Sequence, residues 1–75
     1  MPTDMKKIRV HYDARGNTLS VWFDDPKKKH ISEETGDEVI LSKDKNGKVI
    51  GFEKLNFLAH PSKTIKTLPV EVLAA

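Results

Sequence analysis

Cysteine is absent from this chain of 75 residues, so neither a disulfide framework nor a thiolate zinc site is available to hold it together. No segment approaches the roughly 20 apolar residues that cross a bilayer, and MPTDMKKIRV has no apolar stretch resembling a secretory h-region. The expectation is a cytoplasmic protein without membrane contact. An excess of charge of one sign is missing too. Thirteen basic residues against eleven acidic leave a net +2, with the signs mixed along the chain, and nothing in that balance demands a nucleic-acid partner. There is no internal repeat and no low-complexity segment. The length gives one domain, residues 1–75, near the lower limit for folding alone, and one core of that size supplies only about 3–5 kcal/mol. With no staple available, a second subunit is the expected support.

What is present is alternation. Ile8, Val10 and Tyr12 are interleaved with Arg9, His11 and Asp13, and Leu19, Val21 and Phe23 with Ser20, Trp22 and Asp24, the period of half-buried strands. If Ala14 to Asn17 form the loop, Tyr12 faces Leu19, Val10 faces Val21 and Ile8 faces Phe23. A one-residue slip would oppose Val10 to Ser20. Asp24, Asp25 and Pro26 stop the second strand. A polar connection follows, with a short extended piece around His30 to Ser32. A third strand covers Glu38 to Ser42 and a fourth runs from Lys48 to about Phe57.

Between those last two strands, SKDKNGKVIGFE fits the calcium-loop pattern D-x-[DN]-x-[DN]-G-x5-E at every position but the first, where Ser42 stands. A calcium loop needs an anionic first ligand and flanking helices, whereas these flanks favour strands. Asp44-Lys45-Asn46-Gly47-Lys48 reads instead as a type I turn closed by a glycine bulge, with Gly47 left-handed. That turn pairs Asp44 with Lys48, Ser42 with Ile50, Ile40 with Phe52 and Glu38 with Lys54, and leaves Glu53 opposite Val39. A two-residue Asn-Gly turn, which would oppose Lys43 to Ile50 and Val39 to Lys54, is the rejected alternative.

The expected fold is mainly β: a single antiparallel four-stranded meander of two hairpins over residues 7–57, with residues 1–5 a flexible N-terminus. Pro61 and Pro69 exclude a long helix from residues 58–75, which form an irregular C-terminal segment packing on the sheet or on a second subunit. In this register Ile8, Val10, Tyr12, Leu19, Val21, Phe23, Ile40, Ile50 and Phe52 share one apolar face. Trp22, Val39, Leu41, Val49 and Leu55 fall on the other and become the candidate interface of a homodimer.

The two hairpins resemble the family of small, mostly bacterial proteins known as domain of unknown function 2283. The resemblance rests on Tyr12-Asp13 and Leu19, then Val39-Ile40-Leu41, Asp44, Gly47, Val49-Ile50-Gly51-Phe52-Glu53 and Leu55. The chain departs from the pattern at Gly16-Asn17, where members carry Ala-Asp, and at Asn56-Phe57, where an Asp-Ala-Ser-like ending is common. No activity comes with the resemblance. Some members lie beside a second small protein of toxin-like character, which implies an antitoxin-type partner role.

Three other groups of residues bear on function. His11 and Asp13 share a strand face and Ser20 lies opposite His11, a triad-like set on a flat hairpin with no oxyanion loop. A hydrolase-like site there is the remotest reading, and no catalytic residue, metal ligand or cofactor is assigned. Lys27, Lys28, Lys29 and His30 form the basic run, an anion contact that with Trp22 would make a weak nucleic-acid binder. Trp22 opposite Arg9 is an anchor for a partner if exposed and core if the tail covers it. The reading carried forward is a non-enzymatic protein-interaction module, homodimeric, with a small toxin-like protein as a second partner.

Overall fold

The computed structural model describes residues 7–75, so the expectation for residues 1–5 lies outside the described residues. The chain folds as one antiparallel sheet of five strands: β1 (Arg9–Asp13), β2 (Thr18–Trp22), β3 (Ile31–Glu34), β4 (Val39–Lys43) and β5 (Val49–Lys54). The mainly-β, single-sheet architecture agrees with the alternation of the sequence. Strand number and order do not. The extended piece after the basic run is a full edge strand, β3, and the spatial order is β1-β2-β5-β4-β3. Counted back from β5, three hairpin-connected strands are followed by β2, which returns by a long connection to lie beside β5. That is a Greek key rather than a meander.

The central strand of the sheet is β5. Gly51 in β5 lies opposite Trp22, and a Cβ there would meet the indole Cε3 and the Val21 carbonyl oxygen, each at 2.7 Å. Glycine at this position lets the tryptophan ring lie directly on the backbone of β5. The crossing from β2 to β3 is held by Asp25, whose carboxylate accepts from Lys27 N–H at 2.9 Å and caps one turn of 3-10 helix, Pro26–Lys28.

The first hairpin has the expected register, with Val10 opposite Val21 and Tyr12 opposite Leu19. The second hairpin has the expected turn and a different register. Asp44 N–H bonds to Lys48 O at 2.9 Å and Gly47 N–H to Asp44 O at 3.0 Å, with Gly47 at φ 81°. Beyond the turn, Lys43 lies opposite Val49 but Ser42 lies opposite Gly51, so Ile50 is an extra, bulged residue. From there inward Leu41 faces Phe52, Ile40 faces Glu53 and Val39 faces Lys54. The expected pairs Ser42–Ile50, Ile40–Phe52, Glu38–Lys54 and Glu53–Val39 are each displaced by one. The bulge reconciles the two candidate turns: the glycine-bulged turn forms, and the strands behind it take the spacing of the rejected one.

Among the described residues only one apolar side chain, Ile50, is fully buried. The whole chain exposes 6350 Å², whereas a compact monomer of this mass exposes roughly 4,700 Å². Its radius of gyration is 14.0 Å, against about 11 Å for a closed domain of this length. The sheet is formed, and its core is left open. Among the described residues no helix is long and apolar enough to cross a membrane.

Candidate interaction surface

Cross-strand partners share a face, so the register decides what the sheet presents. One row runs Val10, Val21, Phe52, Leu41 and then Glu33, and the next runs Tyr12, Leu19, Lys54 and Val39. Phe23 N–H extends the β2–β5 ladder to Ile50 O at 2.8 Å. The Phe23 ring stands 6.0 Å from that of Phe52, centroid to centroid. Val39 and Leu41, expected on the reverse face, therefore join the main apolar face, while Ile40 leaves it. The reason is the bulge at Ile50, because a shift of one residue turns every side chain of a strand over. Val49 lies opposite Lys43, which in turn lies opposite Ile31. Val10, Phe23, Ile31 and Val49 remain exposed, as does Glu33, and Tyr12, Leu19, Val21, Val39, Leu41 and Phe52 on this face are half-buried.

The reverse face is mostly polar. Its central row is His11, Ser20, Glu53, Ile40 and Glu34, and beside it lie Arg9, Trp22, Gly51, Ser42 and Ser32. Trp22 is half-buried, laid over Gly51, and Leu55 is half-buried near Ile40 and Val39. Of the five candidate interface residues, Trp22 and Leu55 thus belong to the reverse side. His11 does face Ser20, but Asp13 turns away from it: its carboxylate accepts from Arg15 N–H at 3.1 Å and braces the β1–β2 loop. His11, Asp13 and Ser20 are not joined by hydrogen bonds in this arrangement. Among the described residues no three of His, Asp and Glu gather as metal ligands.

The C-terminal segment reaches only one side of the apolar face. Asn17, buried and left-handed at φ 51°, is its anchor. Its side chain accepts from the Tyr12 hydroxyl at 2.6 Å and from Leu58 N–H at 3.0 Å and donates to Leu58 O at 2.9 Å. Its own carbonyl accepts from Phe57 N–H at 3.0 Å, and the Phe57 ring lies 6.1 Å from that of Tyr12. Further on, Ile65 to Val70 run beside Val10, His11 and Tyr12 of β1. The tail packs on the sheet at the β1 edge and leaves the face over β5, β4 and β3 uncovered. The sequence reading marked Gly16-Asn17 only as a departure from the family pattern. An Asx residue in a loop that accepts a left-handed φ was the available signal.

Three charged clusters complete the surface. In one of them Lys43 donates to both Glu33 carboxylate oxygens, at 2.9 and 3.0 Å, on the face that carries Leu41 and Ile31. Glu38, left-handed at φ 58°, accepts from Asn56 Nδ2 at 2.9 Å and from Lys54 Nζ at 3.3 Å. These bonds, and then the Lys54 charge, hold its carboxyl below the usual range. Glu38 and Lys54 meet as the charge pattern implied, though Lys54 faces Val39 across the strands. At the other end of the sheet, Lys27, Lys28, Lys29 and His30 line an open cleft with Asp44, Lys45 and Asn46 of the β4–β5 turn. Lys45 joins the basic run there and Trp22 does not.

Residues 9–57 match the model of the family described as protein of unknown function (DUF2283), and the chain belongs to that family. The match spans the whole five-stranded sheet and stops where Asn17 fastens the tail. No curated protein and no solved structure matches the chain.

Proposed function

We propose that this DUF2283-family chain is a non-enzymatic protein-interaction module that works as a homodimer, the apolar face of one sheet closed by the same face of a second copy. The observation that carries the reading is that face: an apolar patch running from Val10 on β1 to Leu41 on β4, with the Lys43–Glu33 ion pair and then exposed Ile31 at its β3 rim. One sheet has to bury its apolar side against something, and the tail covers only the β1 end.

Edge-to-edge association is the poorer solution. The β1 edge has the tail beside it, and β3 is only four residues long, with Glu33 and Glu34 on it, the short charged edge that discourages strand addition. Face-to-face packing of two twisted sheets at about 10 Å buries the exposed valines and phenylalanine and makes one core from two open halves. A small toxin-like protein is the competing occupant of the same face.

Light scattering on a size-exclusion column tests the reading. The expected mass is twice the 8.5 kDa of the chain, falling to a single chain for Phe23→Glu and to a value between the two for Ile31→Glu. Ile31 is 55% exposed in one copy, so the monomer loses little by its change, whereas Phe23→Glu also gives up part of the contact with Phe52. A folded wild-type monomer at micromolar concentration would overturn the homodimer.

A further inference from the structure

We infer that the cleft between the 3-10 turn and the β4–β5 turn is a binding site for phosphate-type anions, formed by Lys27, Lys29 and Lys45. Both walls are fixed by the backbone. On one side Lys28 N–H bonds to Asp25 O at 3.0 Å, Lys29 N–H to Pro26 O at 3.1 Å and His30 N–H to Lys43 O at 2.8 Å, which holds the basic run against the end of β4. On the other side Asp44 Oδ1 accepts from Asn46 N–H at 2.9 Å and from Lys48 N–H at 3.0 Å, so the turn that carries Lys45 is closed.

The charge is concentrated here. Four lysines and Asp44 line the cleft, a net +3 with His30 neutral, against +2 for the entire chain; the remainder of the molecule is therefore net −1. Lys28 is taken by Asp24 at 3.3 Å and one Asp44 oxygen is engaged by the turn amides. Among the described residues Lys27, Lys29 and Lys45 have no ion pair. Like charges held together by backbone, in excess over the one carboxylate of the cleft, attract an anion whose own charge is spread over several oxygens. The cleft has lysines and no arginine, and lysine acts as a point charge rather than a planar fork. It also has no phenylalanine, tyrosine or tryptophan in its lining on which a base could stack. Such a site reads phosphate charge and not sequence. The phosphates belong either to a small polyphosphate or to the backbone of a nucleic-acid strand, and the site is independent of the dimer proposed above.

Titration of the wild-type chain with inorganic pyrophosphate and with an oligothymidylate, followed by amide chemical shifts at low salt, decides it. The expected result is a saturable shift confined to Lys29, His30, Lys45 and Asn46. Lys29→Ala and Lys45→Ala should each weaken it about twofold to fivefold, as for one exposed ion pair, while Lys63→Ala on the tail leaves it unchanged. Displacement of pyrophosphate by the oligonucleotide, with an affinity that falls as salt rises, assigns the site to a strand. Failure to displace it assigns a small polyphosphate. No localised shift with either probe, or an equal loss in Lys63→Ala, overturns the site and leaves only a general attraction to a basic chain.

Discussion

Asn17 shows how one polar side chain ties together parts of the chain distant in sequence. It satisfies the Tyr12 hydroxyl and both backbone groups of Leu58, and its left-handed backbone turns its carbonyl toward Phe57 N–H. Asn17→Gly keeps the conformation and removes the side-chain bonds, and we expect a loss of about 1–3 kcal/mol in urea unfolding. Asn17→Ala adds the strain of a left-handed alanine, about 1 kcal/mol more. In both variants trypsin should cut faster at Lys63 and Lys66, because the tail is released at its root; unchanged cleavage would mean that the tail is held elsewhere. Glu38 is a second such residue, with a pH signature. Its carboxyl is held below the usual range by Asn56 and Lys54, so its contribution to stability is present above the unfolded pKa and is lost as pH falls through the lower folded value. Glu38→Gln should therefore be less stable than wild type at about pH 7, with the gap closing toward about pH 3. Both chains share the strained φ, which cancels in the comparison. A gap that does not depend on pH would remove the ionic account.

Among the elements, β5 is the one on which the fold turns. It sits between β2 and β4, carries the bulge at Ile50, and presents Gly51 to the indole of Trp22. Gly51→Ala places a methyl group 2.7 Å from Trp22 Cε3 and from the Val21 carbonyl, an overpacking that we expect to cost about 1–3 kcal/mol and to shift the tryptophan emission toward that of exposed indole. In a double-mutant cycle Gly51→Ala should cost less in a Trp22→Ala background than in the wild type, though still something, since the carbonyl contact stays; no residual cost would place the whole clash in the side chain. β5 also marks how far the fold could be read beforehand. The first hairpin was legible because a slip there would oppose Val10 to Ser20. The Asp44 to Lys48 turn was legible because Asn-Gly dictates its geometry. The bulge was not: Val49, Ile50, Gly51 and Phe52 offer apolar or neutral partners in either register, and only the packing of Trp22 on Gly51 and of Ile50 inside the sheet separates them. The order of β2 beside β5, and Lys45 beside the basic run, depend on a crossing whose polar residues carry no pairing signal.

On the scale of the whole molecule, the proposed dimer would make stability a matter of concentration. A chain with a single fully buried apolar residue among those described has little core of its own, so in the proposed dimer most of the hydrophobic stabilisation would come from the second copy. For a dimer whose monomers unfold as they part, a tenfold rise in protein concentration stabilises the folded form by about 1.4 kcal/mol of dimer, and the unfolding midpoint rises with it. We expect the urea midpoint of the wild-type chain to climb over a concentration series, and that of Phe23→Glu to stay flat at a lower value. Ile31→Glu tests the geometry further. Ile31 lies on β3 at the rim of the face, and Phe23 stands beside Phe52 on the central strand. Truncation at the centre of an interface costs more than at the rim, so Ile31→Glu should weaken association less than Phe23→Glu while leaving the concentration dependence visible. Equal losses at the two sites would place β3 inside the contact, and a wild-type midpoint independent of concentration would return the chain to a monomer that stands on its hydrogen bonds and its half-buried face alone.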